Sequence, residues 1–231
     1  MTKPIYCLSG WGFSGDILLH SILKGKKAEN LNYFELDNSS IEAMALHLSS
    51  NISESSVIVA WSLGGLIAIQ IAALFPEKVR KLILLSSQPK LIEEEDYPGI
   101  PPEAMQAFID LSLQDFETLQ KQFIRSVGFP NKRILSKLED YSLKDCKENL
   151  IHWLHQMQCT DLRKEYASLR IEILHILAEK DTVMRQGESA LLALNPKAYI
   201  LSIDDAGHAG FLTHTELYAA LIDRFLDESH G

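Results

Sequence analysis

The run Val57–Trp61 (Val-Ile-Val-Ala-Trp), with the Ser-Leu-Gly-Gly that follows it, constrains the fold of this chain more than any other segment. Five consecutive apolar residues, the first three β-branched, predict a short strand that is buried on both faces. Helical periodicity follows in Leu66–Phe75 and stops at Pro76. A strand and a helix joined this closely need a very tight turn, and the two glycines let their backbones pass at short range. We therefore predict a strand–turn–helix unit with Ser62 on the turn.

The rest of the chain repeats the alternation of strand and helix. Strands are predicted at Ile5–Ser9, Tyr33–Leu36, Lys81–Ser87, Ile171–Ala178 and Tyr199–Ile203, and helices at 16–24, 40–50, 184–194 and from Phe211 to about Glu228. This alternation predicts an α/β fold with a mainly parallel sheet and helices on both faces.

A helical block interrupts the alternation between about 88 and 168. Five prolines fall in it, helical patterns cover 103–127 and 145–159, and no segment is typical of a strand. The block is either a second small domain or an insertion. Because strands resume after it, we predict one α/β domain over 1–231, with a helical lid inserted at about 88–168.

Composition and charge exclude several classes of protein. The chain has 231 residues, of which 46% are hydrophobic and 23% charged, which is ordinary for a globular domain. Its 22 Lys and Arg against 31 Asp and Glu give a net charge of −9, which argues against a general nucleic-acid partner. No apolar run approaches a membrane span, and the apolar run near the N-terminus is too short for a signal peptide. Cys7, Cys146 and Cys159 are odd in number and widely spaced, so we expect a cytoplasmic protein with reduced thiols.

Ser62 is the candidate nucleophile. The segment around it nearly matches the nucleophile elbow G-x-S-x-G, with Ala60 in place of the first glycine. The elbow holds its serine in a strained turn with Oγ exposed above the sheet. The alternative is an ordinary serine N-cap on the following helix. A buried strand directly before Ser62 and a helix directly after it favour the elbow.

His208 is the candidate base among eight histidines. It lies between small residues after the last predicted strand and before the last helix, where α/β-hydrolases place the base. His214 is a poorer rival because it lies inside the terminal helix. His152 and His155, three apart on a helix, lack a third ligand nearby, so we predict no metal site.

Asp181 is the candidate orienting acid. It comes three residues after the end of the strand that precedes the His208 strand, and it completes the chain order Ser…Asp…His of α/β-hydrolases. Its expected role is to fix the imidazole tautomer and to stabilise the imidazolium. Glu179 is a competitor, and Asp205 is too close to His208 in sequence to turn back on the ring.

Two backbone N–H groups are predicted to hold the oxyanion. One is that of Leu63, directly after the nucleophile, and the other is that of Trp11, in the glycine-flanked loop after the first strand. Each such donor typically stabilises the transition state by about 3–4 kcal/mol.

Several motifs in order resemble one family of small esterases. They are Ser9-Gly10-Trp11-Gly12, Trp61-Ser62-Leu63-Gly64-Gly65, Lys78-Val79-Arg80 with Ser86-Ser87, Tyr97-Pro98-Gly99-Ile100, Thr160-Asp161-Leu162-Arg163 and Ala206-Gly207-His208-Ala209. Together they resemble the BioH family, the pimeloyl-acyl-carrier-protein methyl ester esterases of biotin biosynthesis. The resemblance covers nearly the whole chain. It implies an α/β-hydrolase fold, a Ser62–Asp181–His208 triad, and substrate contacts from Trp11 and Leu63. The family usually has a histidine at the position of Ser9 and a glycine at that of Ala60.

The predicted lid carries a basic stretch. Lys121, Arg125, Lys132, Arg133 and Lys137 lie between residues 118 and 138, where there is no Asp or Glu. Such a stretch in an acidic protein is able to steer an acidic partner, although a solvated helix face is the alternative. The resemblance implies that it docks the acyl carrier protein. It also implies that Phe123, Ile124, Arg125, Ser126 and Val127 line the acyl tunnel.

We therefore expect a monomeric serine carboxylesterase, without cofactor or metal, that cleaves the methyl ester of a carrier-protein-bound dicarboxylyl chain. Three alternatives stay open: a general short-chain carboxylesterase, an elimination enzyme like the menaquinone-pathway synthase, and a non-catalytic binding protein on the same fold. Occupied triad positions disfavour the last of these.

Overall fold

One parallel β-sheet forms the centre of the protein. The computed structural model describes residues 4–34, 40–53 and 55–227. Within them the strands are β1 (Ile5–Leu8), β2 (Ala28–Asn30), β3 (Ser56–Trp61), β4 (Val79–Leu85), β5 (Glu172–Ala178) and β6 (Tyr199–Ile203). They form a six-stranded sheet in the order β2-β1-β3-β4-β5-β6, and every neighbouring pair is parallel. Because the carboxyl ends of parallel strands share one edge, the loops after β1, β3, β5 and β6 meet there.

Helices cover both faces of this sheet. They are α1 (Asp16–Leu19), α2 (Ile41–Ser49), α3 (Leu63–Leu74), α4 (Pro102–Gln114), α5 (Phe116–Gly128), α6 (Leu135–Asp140), α7 (Lys147–Cys159), α8 (Arg163–Ser168), α9 (Glu188–Leu194), α10 (Gly210–Thr213) and α11 (Thr215–Asp227). A 3-10 turn at Lys132–Ile134 leads into α6. In the described part of the chain, none of the helices is long and apolar enough to cross a bilayer.

Alternate residues of β3 explain why its sequence is apolar throughout. Ile58 and Ala60 belong to the hydrophobic cluster that includes α2, α3 and α7 residues, whereas Val59 and Trp61 belong to the cluster that includes α11 residues. All four side chains are fully buried. The strand therefore has no solvent face, as parallel packing between two helical layers requires.

The second strand was predicted in the wrong place. It lies at Ala28–Asn30, and Tyr33 and Phe34 are not in a strand, while residues 35 and 36 lie outside the described residues. The two rings are buried, their centroids lie 4.0 Å apart, and Tyr33 meets Trp153 of α7 edge-on at 5.2 Å. Their apolar character therefore reflects anchoring of a loop rather than pairing in the sheet.

Helix ends also differ from prediction. The pattern over 103–127 is two helices, because Asp115 leaves helical geometry (φ −149°) and caps α5 by accepting the Thr118 N–H at 3.0 Å. The helix predicted at 16–24 is only Asp16–Leu19, and the one at 184–194 begins at Glu188. The terminal helix is interrupted at His214, and Glu228 lies outside the described residues.

Candidate active site

Ser62 lies in a strained turn between β3 and α3. Its backbone has φ 53° and ψ −122°, a left-handed conformation that is rare for a residue with a side chain. It occupies the N-cap position of α3, but its side chain makes no capping hydrogen bond, which is the geometry of an elbow rather than of a serine cap. The end of β4 holds this turn, because Ser62 N–H donates to Leu85 O at 3.0 Å and Ser87 Oγ donates to Ser62 O at 2.7 Å.

Close packing around the turn explains its glycines. A Cβ on Gly64 would lie 2.6 Å from both Leu8 O and Ser9 O, so any side chain there would force the backbones apart. A Cβ on Gly10 would lie 3.1 Å from Ser62 Cβ. The loop after β1 therefore lies directly against the candidate nucleophile.

His208 lies on the loop after β6 and is hydrogen-bonded to the candidate acid. Its Nδ1 is 2.7 Å from Asp181 Oδ2, and the two side chains are only 1% and 2% exposed. His208 Nε2 is buried and has no hydrogen-bond partner among the described residues. Trp61 Nε1 donates to His208 O at 3.0 Å, so the residue before Ser62 holds the loop of the candidate base.

The Asp181 carboxylate is held by its own loop. Oδ1 accepts the backbone N–H groups of Val183 at 2.8 Å and Met184 at 3.1 Å, while Oδ2 accepts from Gln186 Nε2 as well as from His208. The carboxylate is thereby aimed at the imidazole.

The rival acids are engaged elsewhere. Glu179 Oε2 accepts the backbone N–H of Asp205 at 3.1 Å, and Asp205 forms an exposed ion pair with Lys180. That pairing lowers the pKa of the Asp205 carboxyl. Neither carboxylate is hydrogen-bonded to His208, so the structure brings together the pair that the chain order predicted.

The rival histidines have other surroundings. His214 Nδ1 lies 2.8 Å from Thr213 Oγ1. Among the described residues, no group of three His, Cys, Asp or Glu side chains is arranged to hold a metal ion, His152 and His155 included. His175 is fully buried in β5 with Nε2 at 3.0 Å from Tyr166 Oη, and burial lowers the pKa of its imidazole to about 4.

A cavity of about 160 Å³ opens above Ser62. Its described lining is mostly apolar and contains no charged side chain: Trp11, Ser62, Leu91, Ile100, Ala104, Met105, Phe108, Phe123, Ser126, Met157, Thr182, Val183 and Met184. Trp11 meets Phe108 and Phe123 edge-on at 5.4 and 5.0 Å, and its indole N–H donates to Leu150 O of α7 at 2.7 Å. The predicted substrate-contacting tryptophan is therefore part of the cavity wall, fixed by the helical segment.

The candidate oxyanion donors border the same turn. Leu63 is the first residue of α3, where backbone N–H groups have no partner within the helix. Trp11 lies on the loop after β1, which is held by Tyr33 Oη donating to Ser9 O at 2.8 Å and by Phe13 N–H donating to Gly10 O at 3.3 Å. Ser9, which stands where the resembling family has a histidine, is buried and its Oγ donates to Phe13 O.

The predicted tunnel residues of α5 divide among three sides of the helix, which face the cavity, the core and solvent. Phe123 and Ser126 line the cavity. Ile124 and Val127 are instead buried in the hydrophobic cluster that contains Trp61, and Arg125 is exposed. The spacing of three residues between the lining positions is that of one helical face, which a continuous five-residue segment cannot share.

The C-terminal end of α5 contacts the loops of the candidate base and the candidate acid. A Cβ on Gly207 would lie 1.7 Å from Phe129 O, and Ala209 N–H donates to Val127 O at 3.4 Å. Thr182 Oγ1, next to Asp181, donates to Ser126 O at 3.2 Å. The helical segment is therefore packed against the loops that carry His208 and Asp181.

The predicted docking cations are on the surface, and one of them is paired. Lys121, Arg125, Lys132 and Arg133 are exposed, and Lys137 is partly buried. Lys121 forms an ion pair with Glu117 at an N–O distance of 2.5 Å. Glu117 comes directly before the stretch without acidic residues. The Glu117 carboxylate raises the pKa of Lys121 and offsets its charge. Among the described residues, the other four cations form no ion pair.

Comparisons with known proteins identify the family. A family model described as the alpha/beta hydrolase fold matches residues 48–215. The chain belongs to the alpha/beta hydrolase fold family. This confirms the predicted α/β-hydrolase architecture. Similar solved structures of α/β-hydrolases include an esterase from Exiguobacterium antarcticum (TM-score 0.83, 16% identity, covering 98% of this chain and 92% of that one). An enol-lactonase from Burkholderia xenovorans LB400 is alike to the same degree (TM-score 0.83, 15% identity, covering 99% and 92%).

Curated relatives confirm the resemblance seen in the sequence. A pimeloyl-[acyl-carrier protein] methyl ester esterase from Yersinia enterocolitica is 28% identical over 199 residues, covering 83% of this chain and 77% of the relative. One of the same name from Klebsiella pneumoniae is 29% identical over 182 residues, covering 76% and 71%.

Sequence reasoning missed several residues of this α/β-hydrolase site. Met105 and Phe108 of α4 and Met157 of α7 line the cavity, and Gln186 contacts Asp181. Nothing in their local sequence distinguishes them from core or surface residues. The folding of the helical segment over the sheet brings Met105, Phe108 and Met157 to the cavity above Ser62, and the loop after β5 brings Gln186 to Asp181.

Proposed function

We propose that this protein is a serine carboxylesterase with Ser62 as nucleophile, His208 as general base and Asp181 as orienting acid. The observation that carries the proposal is the strained Ser62 beneath an uncharged cavity, together with the buried His208–Asp181 pair, in which His208 Nε2 has no hydrogen-bond partner among the described residues. The chain is a carboxylic ester hydrolase, as its family and its esterase relatives indicate.

Each group has a defined part in the reaction. His208 Nε2 takes the Ser62 proton as Oγ attacks the ester carbonyl, and the backbone N–H groups of Leu63 and Trp11 stabilise the oxyanion. His208 then protonates the leaving alcohol. A water molecule, activated by the same imidazole, hydrolyses the acyl-enzyme and restores Ser62. Asp181, held by four hydrogen bonds, keeps Nδ1 protonated and stabilises the imidazolium.

The proposed substrate is the methyl ester of a dicarboxylyl chain carried on an acyl carrier protein, as in biotin biosynthesis. The relatives are named for this reaction. An uncharged, mostly apolar cavity suits a neutral ester at the end of an alkyl chain, because a free carboxylate would have to be desolvated there. The basic residues of the helical segment offer complementary charge to an acidic carrier protein.

Replacing the nucleophile tests the chemistry. Ser62→Ala should lower hydrolysis of p-nitrophenyl acetate by about a thousandfold or more and abolish labelling by a fluorophosphonate. Ser136→Ala, at an exposed serine of α6, is the matched control and should leave both unchanged. Full ester turnover by Ser62→Ala would disprove the proposed nucleophile. Absence of labelling and turnover in the natural protein would favour the non-catalytic alternative.

The substrate is tested with two matched charge reversals. Lys132→Glu with Arg133→Glu should lower kcat/KM for the carrier-protein methyl ester about tenfold or more at low salt, with little effect on p-nitrophenyl acetate. Lys24→Glu with Lys27→Glu makes the same change in net charge at two exposed positions outside the helical segment. Equal losses on the two substrates, or from the two pairs, would refute the docking surface. Simple-ester turnover without carrier-protein turnover would favour the general esterase alternative.

A further inference from the structure

The amide of Gln186 touches the carboxylate that orients the candidate base. Gln186 lies between β5 and α9, and its Nε2 donates to Asp181 Oδ2. This is the oxygen that faces His208 Nδ1 at 2.7 Å. The backbone N–H of Ala178 donates to Gln186 Oε1 at 3.4 Å. That contact turns the carbonyl of the amide away from Asp181 and its NH₂ group toward it.

We propose that Gln186 is a positioning residue that lowers the basicity of His208 by sharing the charge of Asp181 Oδ2. The inference rests on the proposed function, because it takes His208 as the base. A donor on a carboxylate oxygen stabilises the negative charge, so that oxygen attracts the imidazolium less strongly. With Gln186 in place, more of the imidazole is unprotonated at a given pH and able to accept the Ser62 proton.

The effect of removing Gln186 has a definite sign, because Asp181 has a second anchor. Oδ1 accepts two backbone N–H groups at 2.8 and 3.1 Å, and these bonds do not depend on the Gln186 side chain. The carboxylate therefore keeps its direction when Gln186 is replaced. What changes is the negative charge on Oδ2, which is no longer shared with Gln186, so the carboxylate attracts the His208 imidazolium more strongly.

The other ionisable groups around the pair do not replace this contact. From α11, the buried Tyr218 hydroxyl has no hydrogen-bond partner among the described residues, and burial, reinforced by the Asp181 charge, raises its pKa. Lys180 and Asp205 pair with each other at the surface, and Glu179 accepts from the Asp205 backbone. Arg185 pairs with Glu93, and His214 contacts Thr213.

A second cavity, next to Gln186, makes the substitutions Gln186→Ala and Gln186→Met differ in their expected effect. It measures about 320 Å³ and borders both Asp181 and Gln186, although the Asp181 side chain is only 2% exposed. In Gln186→Ala the space left by the side chain is open to water, which is able to donate to Oδ2 instead. In Gln186→Met a side chain of similar size without a donor fills the space.

The experiment measures kcat/KM for p-nitrophenyl acetate, and the rate of Ser62 labelling by a fluorophosphonate, from pH 5 to pH 9. In Gln186→Met the acid limb of both profiles should move up by about half to one pH unit, with plateau kcat within about threefold and KM unchanged. Gln186→Ala should show a smaller upward move. Arg185→Met, a neighbouring exposed residue that does not contact Asp181, should show none.

The outcomes separate this inference from the proposed function. The role of Gln186 would be overturned if the acid limb in Gln186→Met stayed within about 0.2 pH units of its natural position or moved down. It would also be overturned if the acid limb moved equally in Arg185→Met. Gln186→Leu, which also lacks a donor, replaces the methionine variant if that protein does not fold. If Ser62 of the natural protein is not labelled, the proposed function itself fails. If Ser62 is labelled but the acid limb of the Gln186→Met profile does not move, the proposed function stands and only the role of Gln186 is refuted.

Discussion

Asp181→Asn should inactivate the enzyme by imposing the wrong tautomer on His208, while leaving the fold in place. The Asp181 oxygen that accepts the N–H groups of Val183 and Met184 has to remain an acceptor, so the asparagine carbonyl takes that position. Its NH₂ group then faces His208 Nδ1 and the amide of Gln186, where Oδ2 was an acceptor. His208 can bond to this NH₂ group only with Nδ1 unprotonated, which puts the ring proton on Nε2. An Nε2 that carries a proton cannot accept the one from Ser62.

The expected size of the effect follows from this reversal. The equivalent change in a Ser-His-Asp protease lowers kcat by about 10⁴ with the geometry intact, which corresponds to roughly 5.5 kcal/mol. The cost in stability is smaller. Gln186 can turn its amide over to accept from the new NH₂ group, but it then leaves the Ala178 N–H at 3.4 Å without its acceptor. One unsatisfied buried group costs about 1–3 kcal/mol.

The assay compares kcat for p-nitrophenyl acetate in Asp181→Asn and in Asp205→Asn, with urea unfolding of both. Asp205→Asn is the matched control, because Asp205 is exposed, lies near His208 in sequence and pairs only with Lys180 among the described side chains. It should keep kcat within about twofold. If Asp181→Asn retained more than a tenth of the natural rate, or if Asp205→Asn were equally impaired, the assignment of the orienting acid would be refuted.

Two further predictions concern the packing beneath the site. Gly207→Ala places a Cβ 1.7 Å from Phe129 O, so the His208 loop must move away from α5; we expect a loss of about 1–3 kcal/mol in urea unfolding and at least about a tenfold loss of kcat/KM. Unchanged stability and rate would contradict this close contact. Burial lowers the pKa of His175 to about 4, below its unfolded value near 6.5, so its contribution to stability is present above pH 6.5 and is lost as the pH falls toward 4. In His175→Gln the decline in unfolding free energy between pH 7 and pH 4.5 should be smaller by roughly 3 kcal/mol at most, and an equal decline would show that His175 does not titrate in this way.

The local sequence was sufficient to predict β3, the helix after Ser62 and the order of the three candidate catalytic residues. β3 is apolar because both of its faces are covered, and the helix after Ser62 begins where the glycines allow the turn. The order Ser62, Asp181, His208 was also readable, because each residue follows a recognisable strand. The second strand was misplaced because buried aromatic rings in a loop have the same apolar pattern as a strand.

The helical segment between β4 and β5 contains features that local sequence patterns do not predict. Five consecutive residues of α5 were assigned to the tunnel, yet only Phe123 and Ser126 face the cavity, because the helix turns the intervening side chains toward the core or toward solvent. The basic stretch contains no acidic residue, yet Lys121 pairs with Glu117, which lies one helical turn before it. Both outcomes depend on which face of a helix meets the sheet.

By itself, the sequence determined the α/β alternation, the serine on its tight turn, and the residue types of a hydrolase triad, because these depend on patterns within a few residues of one another. The tertiary structure decided between Asp181 and its competitor Glu179 as the partner of His208, and only the tertiary structure shows that Gln186 shares the same carboxylate oxygen. It also decided which side chains enclose the cavity above Ser62. These contacts join segments that are far apart in the chain or lie on loops with no periodic pattern. They exist only once parallel strands have brought their carboxyl ends to one edge of the sheet.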